Sequence, residues 1–302
     1  MRIGFNLPHG GPAASPEALV RVAKRAEELG YDSLWVWERV LYPVDPQTPY
    51  MATPDGSYPD VFKANFDPLE TLTFAAAHTS RIALGTSVIN LPYYNPVMLA
   101  RRLTTLDVLS GGRLRVGLGQ GWSQDEFDAV GVSMKGRGKR ADEFLSVLKA
   151  IWTTDPVEFH GEFYQLPKSI IQPKPVQKPH PPIYLAAYTP SGLKRVATMA
   201  NGWSPVGVPL NGMKEMMEGV KGMAQQAGRE VEVVVRANIN VTEQALGGER
   251  FDFYGSLDEI KADITAAKEL GVDELHFDPS FSPDGTSVDG FLKRMEQLRE
   301  LV

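Results

Sequence analysis

One recurring unit constrains this chain more than any other feature: a short run of consecutive apolar residues, followed by a segment whose apolar residues repeat at helical spacing. Residues 1–8 read as the first strand and 15–30 as the first helix, with Leu19, Val22, Ala23, Ala26 and Leu29 on one face. Ser15 supplies an N-cap, Pro16 the first helical position and Gly30 the stop. Further strand-like runs follow at 32–37, 81–88, 112–117, 182–187, 202–206, 231–238 and 274–277. Helical patterns follow at 96–109, 139–152, 190–200, 211–227, 257–271 and 288–301. Strands apolar along their whole length are buried on both faces, which requires a parallel sheet covered by helices. About eight such units in 302 residues predict an α/β chain folded as a single (β/α)8 barrel over residues 1–302. A doubly wound sheet is disfavoured because the first strand-to-helix turn, FNLPHG at 5–10, lacks the Gly-x-Gly-x-x-Gly spacing that a dinucleotide pyrophosphate requires.

Two long stretches interrupt the rhythm, at 38–67 after the second strand and at 155–181 after the fourth helix. The first falls on the carboxyl face of a barrel, where such enzymes carry their chemistry, and is expected to act as a mobile lid. Its Tyr42, Tyr50, Tyr58 and Phe66 can cover a flat ring.

Composition narrows the chemistry. A net charge of −6 argues against a nucleic-acid surface, and no apolar run reaches the roughly 18–20 residues of a membrane helix, so a cytoplasmic protein acting on a small molecule is expected. The absence of cysteine removes thiolate metal sites and cysteine nucleophiles, five histidines are few for a metal centre, and no metal site is assigned. There is no His-Glu-x-x-His, no Walker loop and no Gly-x-Ser-x-Gly elbow. A barrel lacking these leaves the difficult chemistry to a bound organic cofactor.

Four segments identify which kind. They are LGTSVINLP at 84–92, Asn95-Pro96 with LTTLDVLSGGRL at 103–114, GLGQGW at 117–122, and AAYTPSGLKR at 186–195 with Asn201-Gly-Trp203. Together they resemble the bacterial luciferase-like superfamily of flavin- and deazaflavin-dependent (β/α)8 oxidoreductases, in particular its coenzyme F420-dependent branch, from residue 1 to the final helix. The resemblance implies an oxidoreductase that moves a hydride between F420 and a small organic substrate. A reduced-FMN monooxygenase of the same fold, or a flavin- or deazaflavin-binding protein without catalysis, are the alternatives. It also implies a homodimer and, as a partner enzyme, a flavin or F420 reductase. At Ser87–Val88 the family places a non-prolyl cis peptide against the ring, with Asn90 beside it.

The residues themselves carry partial readings. Gly117, Gly119 and Gly121 at a strand end either let backbone approach a flat ring or make a tight turn. Trp37, Trp122 and Trp203 near strand ends either wall a ring or pack. Ala186, Ala187, Ser191 and Gly192 lead into a helix start that is either an anion site, with Lys194 or Arg195 adding charge, or an ordinary cap. Lys135, Arg137, Lys139 and Arg140 form either a solvated face or a contact for an anionic cofactor tail. Glu38 and Arg39 end the second strand where related deazaflavin enzymes carry an acid followed by histidine. Here Arg39 replaces the histidine, so Glu38 is read as an orienting or protonating group and Arg39 as a carboxylate holder, against a plain strand-end ion pair. His9, ending the first strand, is the remaining imidazole candidate at the mouth, or else a turn histidine.

Overall fold

The computed structural model describes residues 1–302. In chain order its strands are β1 (Arg2–Asn6), β2 (Ser33–Val36), β3 (Ala83–Thr86), β4 (Ile89–Asn90), β5 (Leu114–Gly119), β6 (Val157–His160), β7 (Gln165–Ser169), β8 (Ile183–Leu185), β9 (Gly202–Trp203), β10 (Glu232–Asn238), β11 (Asn240–Val241), β12 (Tyr254–Gly255) and β13 (Glu274–Asp278). The helices are α1 (Pro16–Glu28), α2 (Pro68–Ala76), α3 (Pro96–Leu109), α4 (Gln124–Ala129), α5 (Arg137–Thr153), α6 (Pro190–Met199), α7 (Leu210–Gln226), α8 (Leu257–Glu269) and α9 (Val288–Arg299). Parallel pairing runs β3, β2, β1, β13, β10, β9, β8, β5, and β3 pairs back onto β5 through Leu84 and Leu114, which closes the barrel. The expected (β/α)8 barrel is therefore the fold.

The main apolar core lies between the sheet and the helices, where outward-facing strand residues such as Leu275 and Phe277 meet helix residues such as Phe144 and Met295. The inside of the barrel is different. Strand period two turns Glu274, His276 and Asp278 of β13 inward, onto Ser33 and Trp35 of β2 and Asn6 of β1. At the amino end Glu274 holds Ser33, Trp35, Arg2 and Arg115. In the middle His276 stacks on Trp35 at 4.6 Å, and at the carboxyl end Asp278 meets Asn6 and Arg236. The carboxyl mouth is thus floored by buried charge rather than by aliphatic side chains.

Several elements differ from the sequence reading. The strand expected at 112–117 begins two residues later, because Gly111 and Gly112 both adopt positive φ (69° and 84°) in the turn that ends α3. α2 (Pro68–Ala76) lies outside the helical patterns read from the sequence, and just beyond it His78 Nδ1 meets the Phe74 carbonyl at 2.8 Å. The insertion after α5 contains the antiparallel hairpin β6–β7. The six-residue α4, too short to show a period, was not anticipated.

Candidate active site

The mouth is organised around the junction of β3 and β4. The Ser87–Val88 peptide is cis, as the resemblance implied, and the Ser87 carbonyl accepts from Arg236 Nη1 at 3.1 Å. Two glycines of β5 make room for this junction. A Cβ on Gly117 would run into the Thr86 carbonyl, and one on Gly119 would lie 2.5 Å from Val88 Cγ2 and 3.2 Å from Asn90 Oδ1. Gly119 is the last residue of β5 and packs against the junction. Gly121 has φ +67° and lies under the Tyr93 hydroxyl, and its N–H donates to Asn90 Oδ1 at 3.1 Å. Asn90 therefore ties the two strand ends together.

Glu38 lies just past β2 and is buried. Its Oε2 accepts the Asn90 N–H at 2.7 Å and its Oε1 accepts the Tyr94 hydroxyl. Burial, the largest cause, pushes its carboxyl up to about 7 against an ordinary 4.5; nearby Asp67 and Glu126 push the same way, while the two donors oppose. Below 4.5 the carboxyl is neutral folded and unfolded alike. Between 4.5 and 7 the folded state alone keeps the proton, so stability is lost as pH rises through that window, by about 3 kcal/mol in total. Glu38→Gln should flatten this. From pH 5 to pH 8 the urea midpoint of the natural chain should fall relative to the variant, and parallel midpoints would show that Glu38 does not hold its proton.

Arg39 turns away from Glu38 carboxylate chemistry. Its Nε donates to the Glu38 carbonyl at 3.0 Å, its Nη2 pairs with the buried Glu126 at 3.3 Å, and its guanidinium lies over Trp122 (4.8 Å) and Phe62 (5.3 Å). Glu126, on α4, also accepts from Val40 N and the Tyr93 hydroxyl. His9 lies three residues beyond the end of β1 and is fully buried. Its Nδ1 is 3.0 Å from the Leu7 carbonyl and its Nε2 accepts the Trp37 N–H at 3.1 Å, while burial lowers its pKa. With both ring nitrogens on backbone, His9 splices the ends of β1 and β2 and is not poised toward the mouth. Trp203 also departs from the pocket reading: it is completely buried, with Nε1 donating to the Ala187 carbonyl.

The sequence reading missed Arg236 and Asp278. Arg236 pairs with Asp278 Oδ2 at 2.7 Å and lies over Phe281 at 5.2 Å, while Asn6 Nδ2 donates to the same Asp278 oxygen. An arginine and an aspartate near the carboxyl ends of two neighbouring strands were the available signal. Around them, buried polar atoms lack intramolecular partners: Trp37 Nε1, Arg39 Nη1, Ser204 Oγ and Ser280 Oγ. Such atoms are rare in folded proteins unless a ligand or water meets them, and their gathering at one mouth fits a ring with several acceptor and donor edges.

A small cleft continues from the mouth along Gly119, Ala186, Ala187 and Gly192 to Arg195. α6 begins there: Thr189 Oγ1 accepts the Gly192 N–H at 3.2 Å and Pro190 has no N–H, so the exposed Ser191 contributes the amide left at the helix start. Arg195 is not a free charge, because it binds Asp142 and, at 2.9 Å, the Gly138 carbonyl, clasping α6 to the first turn of α5. That turn carries Arg137, Lys139 and Arg140 with Lys135 just before it, and none of the four forms an ion pair. Arg195, at the end of the cleft, is thus joined to the turn that carries the basic cluster.

The luciferase-like monooxygenase family matches residues 1–246. An F420-dependent glucose-6-phosphate dehydrogenase of Amycolatopsis mediterranei is 32% identical over 281 residues, 87% of this chain and 78% of the relative. An FMNH2-dependent dimethylsulfone monooxygenase of Pseudomonas putida is 30% identical over 164 residues, 53% of this chain and 45% of the relative. The crystal structure of monooxygenase RslO1 from Streptomyces bottropensis superposes with a TM-score of 0.83 at 22% identity, covering 100% of this chain and 98% of that one. The relatives use F420 or reduced FMN, and no helix of this chain is long and apolar enough to cross a membrane. The chain belongs to the luciferase-like monooxygenase family.

Proposed function

We propose that this chain is an oxidoreductase that transfers a hydride between coenzyme F420 and a small organic substrate. The observation that carries the reading is the cluster at Lys135, Arg137, Lys139 and Arg140, none of it in an ion pair, on the turn that Arg195 joins to the cleft lined by Gly119, Ala187 and Gly192. F420 has a long polyanionic tail and FMN has a single phosphate, so a cationic run beyond the helix-start site suits F420. The longer match to an F420-dependent relative supports the same choice.

When bound, F420 supplies the hydride-exchanging carbon. The chain's part is to hold and orient. Ser87, Val88 and Asn90 would back the ring, Gly119, Gly121 and Trp122 would border it, and Ala186, Ala187, Ser191 and Gly192 would lead its tail to Arg137 and Arg140. Glu38, whose carboxyl carries a proton near neutrality, can keep or give up that proton at Oε1 beside the Tyr94 hydroxyl. The aromatic side chains of the loop over the mouth exclude water.

Lys139→Glu/Arg140→Glu should weaken F420 by about 10- to 100-fold and FMN by much less, with the F420 loss shrinking in high salt. Calorimetric titration of both cofactors at two ionic strengths reads this. Equal losses for the two cofactors would place the tail elsewhere. Tight FMN binding with turnover on oxygen would favour the monooxygenase reading.

A further inference from the structure

We propose that the β6–β7 hairpin is part of the site for the cofactor's anionic tail: its turn fixes the Arg140 guanidinium, through Phe163, so that the first turn of α5 meets carboxylates lying beyond the tail's phosphate. The inference rests on the F420 reading above and names the residues that make affinity depend on tail length. α5 ends at Thr153 on the rim opposite the mouth, yet the turn of the hairpin that follows comes back to the first half of the same helix. The N–H groups of Glu162, Phe163 and Tyr164 all donate to the carboxylate of Glu143, two at 2.8 Å and one at 3.2 Å. Gly161 permits this approach, because a Cβ there would fall on the same carboxylate. Beside it Tyr164 packs edge-on against Phe144 at 5.8 Å.

This clasp acts twice on Arg140, which precedes Glu143 by one helical turn. An arginine and a glutamate at that spacing can pair on a helix surface. Here both Glu143 oxygens are taken by the hairpin, and no such pair forms. Instead the guanidinium lies over the Phe163 ring at 5.3 Å, with Nη1 donating to the Ser133 carbonyl at 2.8 Å. Its Nε and Nη2 are left without partners in the chain. A long side chain stacked and hydrogen-bonded in advance loses little rotamer freedom when an anion arrives, which a fully solvated arginine cannot offer. The turn that carries it is joined to the cleft, since the Gly138 carbonyl accepts from Arg195, a residue of the cleft wall. Arg195 spends its own charge on Asp142, so the cations left for carboxylates beyond the start of α6 are Arg140 and its neighbours Lys135, Arg137 and Lys139.

The test is calorimetric titration of the full chain with F420 carrying an oligoglutamate tail and with its glutamate-free form, at two ionic strengths. The natural chain should bind the longer form at least about tenfold more tightly at low salt, with the preference shrinking in high salt. Phe163→Leu keeps an apolar side chain but removes the ring face, and Arg140→Lys keeps the charge but removes the planar fork. Each should cut the preference by about threefold or more and leave affinity for the glutamate-free form within about twofold. The two losses should not add, because both remove one contact, so Phe163→Leu/Arg140→Lys should resemble either single variant. Arg140→Lys, at a surface position, decides the matter even if the hairpin does not tolerate Phe163→Leu. Equal binding of the two forms by the natural chain, an undiminished preference in either folded variant, or simple additivity would overturn the assignment. If Lys139→Glu/Arg140→Glu weakens F420 while Phe163→Leu leaves the length preference intact, the cofactor reading stands and this one falls. If neither form binds the natural chain, the cofactor reading falls and takes this one with it.

Discussion

Gly117→Ala should leave little folded protein, with a loss of about 4 kcal/mol or more in chemical denaturation of whatever is recovered. The added Cβ would be driven into the Thr86 carbonyl oxygen, a backbone atom that cannot rotate away. Thr86 is held in register against Val36, its hydroxyl bonds both the N–H and the carbonyl of Gly117, and the next residue donates to the Val36 carbonyl at 2.7 Å. Relief would require β3 and β5 to separate, and that pairing is the one that closes the barrel. Gly119→Ala provides the contrast, because its clash is with the tip of the Val88 side chain, which can shift. It should cost about 1–3 kcal/mol, and if Val88 backs the ring as proposed it should also weaken the cofactor. Urea midpoints for the two variants, with circular dichroism of each, check the ordering. A Gly117→Ala chain as stable as Gly119→Ala would mean the junction of β3 and β4 is far more compliant than its hydrogen bonds indicate.

That pair of glycines also shows how much of the site could be read from the sequence. GLGQGW at a strand end marked a place where backbone must come close, but not what it approaches: Val88 and Asn90 are about thirty residues away along the chain and meet the glycines only once β3 lies beside β5. The barrel was legible because alternation of apolar runs and helical periods is a local signal repeated eight times. The polar interior was not. Glu274, His276 and Asp278 occupy every second position of a run that reads as one more strand, and their partners Ser33, Asn6 and Arg236 lie on other strands. His276 carried no signal at all, and inside the barrel its Nδ1 meets Asn6 Oδ1 at 2.9 Å while its ring stacks on Trp35. Arg39 was recognised as a departure from the family pattern. Its real neighbour, Glu126, belongs to a helix too short to be seen as periodic, so the ion pair and the cage around it became visible only in three dimensions.

Asp278→Asn should be among the most damaging conservative changes in the chain, at about 3–5 kcal/mol. The substitution keeps the shape and still offers an oxygen to Asn6, yet it leaves the largely enclosed Arg236 guanidinium without its buried counter-charge at the floor of the mouth. The Ser87 carbonyl and Asn238 Oδ1 remain as neutral acceptors and cannot replace a carboxylate 2.7 Å away. If the stranded charge is the cause, removing it should help. Arg236→Met/Asp278→Asn should be more stable than Asp278→Asn alone, although it has lost more hydrogen bonds, and the two changes should be strongly non-additive. The double variant should still bind cofactor poorly, because Arg236 is what fixes the Ser87 carbonyl at the β3–β4 junction. Denaturation midpoints of the two single variants and the double variant, with cofactor titration of each, separate the two effects. Simple additivity in stability would show that Asp278 matters for the backbone it bonds, including the Ser280 N–H at 3.0 Å, and not for the charge it balances.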